Sequence, residues 1–331
     1  MRFNKKNRYK LLTELLQKYL DEHKSWRPST RNKKEYIIDA VNHHPLSTMK
    51  ICDIKTSNIK AFYLALYEKG LTRQTIVGYG HVLRPAFEMA VQDDWIRKNP
   101  CKFKLDFLPI TNKQKVALTP KEESLFLDFV QTNEKLAWYY DIYVLMLETG
   151  IRLSELCGLT LDDIDMKERR ISINKQMCVP AAINGVRKLR IDVLKTDNGE
   201  REIFISDQAY TSLTRLLKRR KDNNFPERII DGYSKFLLTS NRQSGIVTHA
   251  MIDYNLNKAV TLYNESHKQS LPHITPHIFR HTFCTRMIEK GMDIKTLQYL
   301  MGHADVKTTL DVYTHLSADT AVSNMAKVVA K

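Results

Sequence analysis

The first hundred residues repeat apolar side chains at three- and four-residue intervals and nowhere alternate them, which confines this part of the chain to packed helices. An amphipathic segment runs from Tyr9 to His23. A second helix is expected from Ser29 and Thr30, both good N-cap types, with Tyr36, Ile37, Ala40 and Val41 on its apolar face. A third, over residues 57–69, carries Ala61, Phe62, Leu64, Ala65 and Tyr67, and Gly70 stands where a left-handed C-terminal residue belongs. The fourth, over 72–95, has Val77, Val82, Leu83, Phe87 and Ala90 as its buried stripe. Asn99-Pro100 then breaks the helix, because the residue before a proline avoids the α region. The stretch that follows is Lys-rich and loosely patterned, so residues 101–115 read as a linker between a helical domain, 1–100, and a second domain, 116–331.

The second domain mixes both periodicities. Helices are expected over 119–132, with Thr119 as cap and Pro120 in the first position, over 135–149, and briefly after Gly150. Three β-like runs follow, at 170–174, 189–194 and 202–205, and the last two flank a turn whose Asn198-Gly199 is a strong hairpin signal. From Asp207 onward the pattern is again mostly helical. The expected class is mainly α with a small β-sheet, an α+β second domain behind a helical first one.

Charge narrows the partners. The net charge is +15, and residues 1–110 hold 21 Lys and Arg against 11 Asp and Glu, about two thirds of the excess. A basic surface attracts polyanions and gains affinity by releasing counterions from a phosphate backbone, although membranes also attract such charge. No apolar run approaches the ~18 residues of a membrane span, and neither an apolar leader nor a cleavage site follows the basic start. The five cysteines are scattered and form no C-x-x-C pair, which suggests neither a disulfide framework nor a thiolate zinc site. A cytoplasmic protein without a membrane partner is expected.

Four local patterns carry candidate chemistry. Arg152 and Glu155 lie three apart at the start of a short helix, in Thr149-Gly150-Ile151-Arg152-Leu153-Ser154-Glu155-Leu156; alone, this is also how a surface ion pair looks. Lys195 sits at the turn, where a lysine is ordinarily solvated but is also well mounted to reach a phosphate. In Pro276-His277-Ile278-Phe279-Arg280-His281, His277 and Arg280 share a face near a helix N-terminus that favours anions. His277 and His281 have the spacing of a metal pair, but no Glu follows His277 as in H-E-x-x-H. Finally, Leu300-Met301-Gly302-His303 is followed ten residues later by Tyr313-Thr314-His315.

In that order, these fragments resemble the tyrosine recombinases, or phage-type integrases: an R-x-S-E-L box, a turn lysine, H-x-x-R, L-x-G-H and Y-T-H. The spacing from His303 to Tyr313 is most like the integrases of conjugative transposons and related phages. The resemblance covers the C-terminal two thirds, while the first domain matches the family's core-binding domain in position, size and charge. It implies a helical core-type DNA-binding domain ahead of a catalytic domain that cuts and rejoins double-stranded DNA through a 3′-phosphotyrosine on Tyr313. Arg152, Arg280 and His303 would hold the phosphate, His277 would position or deprotonate the nucleophile, and Lys195 would protonate the leaving oxygen. Neither a metal nor another cofactor is implied. Arg73 and Gln74 are candidates for reading bases in the major groove. The apolar face of Ala321, Val322, Met325, Val328 and Val329 is expected to be exchanged between protomers of a tetramer on DNA, with DNA-bending or directionality proteins as further partners. The chain looks too short at its front for the arm-binding module of many such integrases. Alternative readings are a type IB topoisomerase, a catalytically silent DNA-binding protein and, remotely, a zinc nuclease using His273, His277 and His281.

Overall fold

A computed structural model describes residues 9–26, 28–109, 117–179, 188–194, 199–223, 225, 227–240 and 245–313. The described residues fall into two compact units, the first within 1–113 and the second within 114–331.

The first unit consists of helices α1 (Leu12–Glu22), α2 (Pro28–Asn42), α3 (Thr56–Glu68) and α4 (Arg73–Gln92). Helix α4 packs against the other three and buries Val82, Leu83, Phe87 and Ala90, as its spacing predicts, together with Ile76, Tyr79 and Ala86, whereas Val77, expected in the same stripe, is only half-buried. Proline at position 85 of this helix lacks the N–H that would meet the carbonyl of His81 four residues back. The Lys34 ammonium of α2 takes that carbonyl instead, at 2.5 Å. Helix α3 is rotated from expectation. Ile59, Phe62, Tyr63 and Leu66 face the core, whereas Leu64 is exposed. Tyr36 of α2 is also exposed, and Ile38 and Val41 are buried. Within the stretch expected to be a linker, Cys101 and Leu108 belong to this core, so packing continues past Asn99-Pro100.

The second unit is built around α6 (Tyr140–Thr149), whose Ile142, Tyr143, Leu145, Met146 and Leu147 are all buried. A helix apolar on every side must be surrounded, and α6 is enclosed by α5 (Pro120–Thr132), α8 (Asp207–Asn223) and α10 (Pro276–Glu289). The start of α5 follows the expected capping: the Thr119 hydroxyl accepts from Glu122 N, and the Glu122 carboxylate accepts from Thr119 N. The remaining helices are α7 (Leu153–Gly158), α9 (His249–Ser266), α11 (Ile294–Met301) and α12 (Val306–Tyr313).

Among the described residues, five short strands complete this unit, β1 (Ile164–Asp165), β2 (Arg170–Ile173), β3 (Lys175–Cys178), β4 (Arg190–Val193) and β5 (Arg201–Phe204). The strands flanking the Lys195 turn do not pair with each other, contrary to the hairpin expected from Asn198-Gly199. Strand β5 pairs antiparallel with β2, Ile173 opposite Arg201, and β4 pairs antiparallel with β3, Lys175 opposite Val193. Only Asn174 separates β2 from β3, and its carbonyl accepts from Leu194 N. Residues 170–178 therefore act as one bent template with two successive partners; the predicted turn residue Lys195 lies outside the described residues. Strand β3, Lys-Gln-Met-Cys, has no β-branched residue and escaped the sequence pattern.

Gly150 ends α6 in the left-handed region, at φ 62°, and a Cβ there would stand 2.5 Å from the Phe283 ring of α10. Gly150→Ala should therefore lower the unfolding free energy by about 2 kcal/mol or more, from backbone strain and overpacking together. A drop in the urea midpoint checks this.

Candidate active site

An α-helix leaves its last carbonyls without helical donors and concentrates negative partial charge there. Helix α11 is started by the Asp293 side chain, which accepts from Thr296 N, and stopped by Gly302 in the left-handed region at φ 57°. The reversal brings Gly302 N to Tyr299 O at 2.9 Å and His303 N to Gln298 O at 3.1 Å. Each of the next three carbonyls receives an arginine. Arg201 Nε donates to Leu300 O at 2.7 Å, an Arg280 Nη donates to Met301 O, and an Arg152 Nη donates to Gly302 O at 2.6 Å. Residues from three distant parts of the chain are thus gathered on one helix end.

The counter-charge is a single carboxylate. Glu155, 1 % exposed, accepts from Arg201 through both oxygens, at 3.1 and 2.7 Å, and from Arg152 Nη1 at 2.6 Å. It also accepts from the backbone N–H of Arg152 at 2.9 Å, which caps the start of α7. Burial alone would raise its pKa, but the Arg201 and Arg152 partners outweigh it and hold the carboxyl below its ordinary value. The Arg152–Glu155 spacing, which taken alone is that of a surface ion pair, therefore belongs to a buried network. Three guanidinium groups against one carboxylate leave two positive charges in excess within this network.

Arg280 is 6 % exposed and also donates to Gly150 O at 2.7 Å, so the left-handed cap of α6 is a ligand of the cluster. Burial, reinforced by the Arg152 charge, brings its guanidinium down to about 9, so it stays cationic at neutral pH. The same environment acts on His303. Burial first, then Arg280, Arg152 and Arg201, hold its imidazole at about 4, so the ring is neutral near pH 7. Its Nδ1 lies 3.0 Å from the hydroxyl of Thr309, a fully buried residue of α12.

The other predicted residues fall as follows. His277 is exposed in the first turn of α10, behind the Thr275 cap and one turn before Arg280. Nearby Asp253 of α9 has its carboxyl raised by burial, partly offset by His249 and His277. Tyr313 closes α12, and its side chain lies outside the described residues, as does Lys195. Arg73 and Gln74 occupy the first turn of α4 in the first unit, half-buried and exposed respectively, behind the Thr72 cap. Among the described residues, no group of three His, Cys, Asp or Glu is placed to hold a metal. A cavity of about 1000 Å³ between α5, α6, α8 and α10, lined by Leu127, Val144, Ser212 and Arg286 among others, includes none of the arginine cluster.

Arg201 and Thr309 escaped the sequence reading. A signal for Arg201 was present: it alternates with Ile203 and Ile205, both buried, which turns its charge toward the core. Thr309 carried no comparable signal.

Comparison with known proteins places this geometry. The phage integrase family model matches residues 117–320, and the phage integrase SAM-like domain matches residues 10–107. The chain is 36 % identical over 305 residues to the transposase from transposon Tn916 of Enterococcus faecalis, covering 91 % of this chain and 73 % of that one. It is 27 % identical over 300 residues to a XerC-like tyrosine recombinase of Caldanaerobacter subterraneus subsp. tengcongensis, with 88 % and 75 % covered. A solved structure of the Tn1549 transposon integrase in complex with transposon right end DNA superposes with a TM-score of 0.87 at 36 % identity, over 97 % of this chain and 100 % of that one. A lambda integrase dimer bound to a core site shares the fold, with a TM-score of 0.66 at 17 % identity over 92 % and 95 % of the two chains.

Glu155→Gln should lower stability at pH 7 by about 3–5 kcal/mol, because it removes the carboxylate that, among the described residues, alone pairs with buried Arg201. The sign of its pH dependence follows from the depressed carboxyl. The stabilisation is full above the unfolded-state value of about 4.3 and is lost as pH falls through the lower folded-state value. Urea midpoints of the two proteins should therefore converge on acidification below about pH 4.

Proposed function

The chain belongs to the phage integrase family and is a tyrosine site-specific recombinase of the kind found in conjugative transposons, and from that premise we propose how its residues divide the work. The observation that carries the proposal is the arginine cluster, Arg201 and Arg280 buried and Arg152 half-buried, with its excess positive charge beside a neutral histidine. Such a site is complementary to a phosphate dianion-like transition state, because its donors and charges are fixed before the substrate arrives.

A phosphodiester resists nucleophiles because its non-bridging oxygens repel them. Arg152 and Arg280 bind those oxygens and neutralise the charge that grows on the pentacoordinate phosphorus. His303, uncharged, donates one further hydrogen bond to the same group. His277 accepts the phenolic proton of Tyr313, whose unperturbed pKa of about 10 would otherwise keep it protonated. The phenolate oxygen bonds to phosphorus, the bond from phosphorus to the 5′-oxygen breaks, and Lys195 gives that oxygen a proton. The product is a 3′-phosphotyrosine and a free 5′-hydroxyl. The phosphoester bond count is conserved, so a 5′-hydroxyl of another strand reverses the step without ATP or metal. Glu155 holds Arg152 and takes no proton.

The N-terminal helical domain supplies the basic surface for double-stranded DNA, with Arg73 and Gln74 at base edges in the major groove. Residues 116–331 form the catalytic domain. Four copies assemble on DNA, each lending its apolar C-terminal segment to a neighbour, and DNA-bending or directionality proteins act with them. No helix among the described residues is long and apolar enough to cross a membrane, and work on DNA within the cytoplasm accords with the reducing setting expected of scattered thiols.

Tyr313→Phe should bind its DNA site with wild-type affinity yet give no covalent adduct on a denaturing gel; an adduct would reassign the nucleophile. Removing residues 317–331 should prevent tetramer assembly on DNA, as followed by native gel and light scattering. Undiminished assembly would rule out the exchange.

A further inference from the structure

His303 is neutral near pH 7, and a neutral imidazole carries its proton on only one nitrogen. Which nitrogen that is depends on the partner of the other. The partner here is the Thr309 hydroxyl, 3.0 Å from Nδ1. A threonine inside a helix ordinarily turns its hydroxyl back to a carbonyl one turn earlier. Among the described residues the only hydrogen bond of the Thr309 hydroxyl is the one to His303, and Thr309 is fully buried, so no water competes there. A hydroxyl that donates to Nδ1 leaves the proton on Nε2, on the opposite side of the ring. A hydroxyl that accepts from Nδ1 would leave Nε2 as a bare lone pair, which repels a phosphate.

The placement of Thr309 adds a second element. It lies on α12, the helix that Tyr313 closes four residues later. The chain reaches that helix from the left-handed Gly302 through His303 itself. The hydrogen bond thus forms only when α12 is seated against the end of α11. We infer that Thr309 is a positioning residue that donates to His303 Nδ1, directs Nε2–H at the scissile phosphate, and so makes the phosphate site complete only when the helix carrying the nucleophile is docked. This rests on the reading that His303 donates to the phosphate.

The test uses the full chain and three variants, Thr309→Val, Thr309→Ser and His303→Ala. Long-range proton–nitrogen correlation of the histidine side chains at pH 7 reads the tautomer, and covalent adduct formation on a nicked DNA substrate at saturating concentration reads the rate. The wild type and Thr309→Ser should hold the proton on Nε2 and react at similar rates. Thr309→Val, close to isosteric, should shift the proton toward Nδ1 and slow adduct formation about tenfold, the effect of one lost hydrogen bond in the transition state, with DNA affinity unchanged. A wild-type proton on Nδ1 overturns the inference, and so does a Thr309→Val protein with Nε2–H and full rate, or a Thr309→Ser protein as slow as the valine variant. His303→Ala at wild-type rate would instead remove the underlying role of His303, which separates the two failures.

Discussion

Three arginine side chains on three consecutive carbonyls at the end of α11 are the interaction on which the catalytic unit depends. Buried guanidinium groups are tolerated only when their N–H groups are satisfied and their charge is countered. Here the helix end supplies oriented carbonyl dipoles, and Glu155 supplies one formal charge. Neither provision neutralises the cluster. The folded protein therefore holds a positive potential in a low-dielectric setting, with its charges in position before any anion arrives. Burial, reinforced by the same potential, keeps His303 neutral, which suits a hydrogen-bond donor and not a proton carrier.

The cluster also explains why so little regular structure suffices around it. Arg152 comes from the cap of a helix of six residues, Arg201 from a strand of four, and Arg280 from the second turn of α10. None of these elements is long enough to be stable alone. Their mutual hydrogen bonds through Glu155, Gly150 and α11 fix the geometry, so the site and the fold of this unit form together. A site tied together in this way has few separable parts, and substitutions within it are not expected to act additively.

Much of this was legible in the sequence. Arg152, Arg280 and His303 could be found because each sits in a short motif with its own helix-start or helix-stop signal, Gly150, Pro276 and Gly302. Their convergence could not be read, since residues 152, 201, 280 and 302 meet only through tertiary contacts. Arg201 was missed for a specific reason: strand register decides which face a residue takes, and a slip of one residue reverses it. The strand pairing was missed because Asn198-Gly199 argues for a local hairpin, whereas residues 170–178 offer a longer template. In α3, apolar residues lie on too many sides of the helix for spacing to choose between Leu64 and Tyr63 as the inward residue. The capping at Thr119 and the buried stripe of α4 follow from local rules alone, and these were anticipated.

The bent template of residues 170–178 has a consequence for how this enzyme can vary. Each of its two partners takes its alignment from the template and none from the other partner. Residues can therefore be inserted or deleted between Leu194 and Arg201 without sliding either ladder, and Arg201 keeps its place against Glu155. The register of each ladder is thus independent of the other, and the cationic cluster is anchored by the template rather than by the connection between its partners.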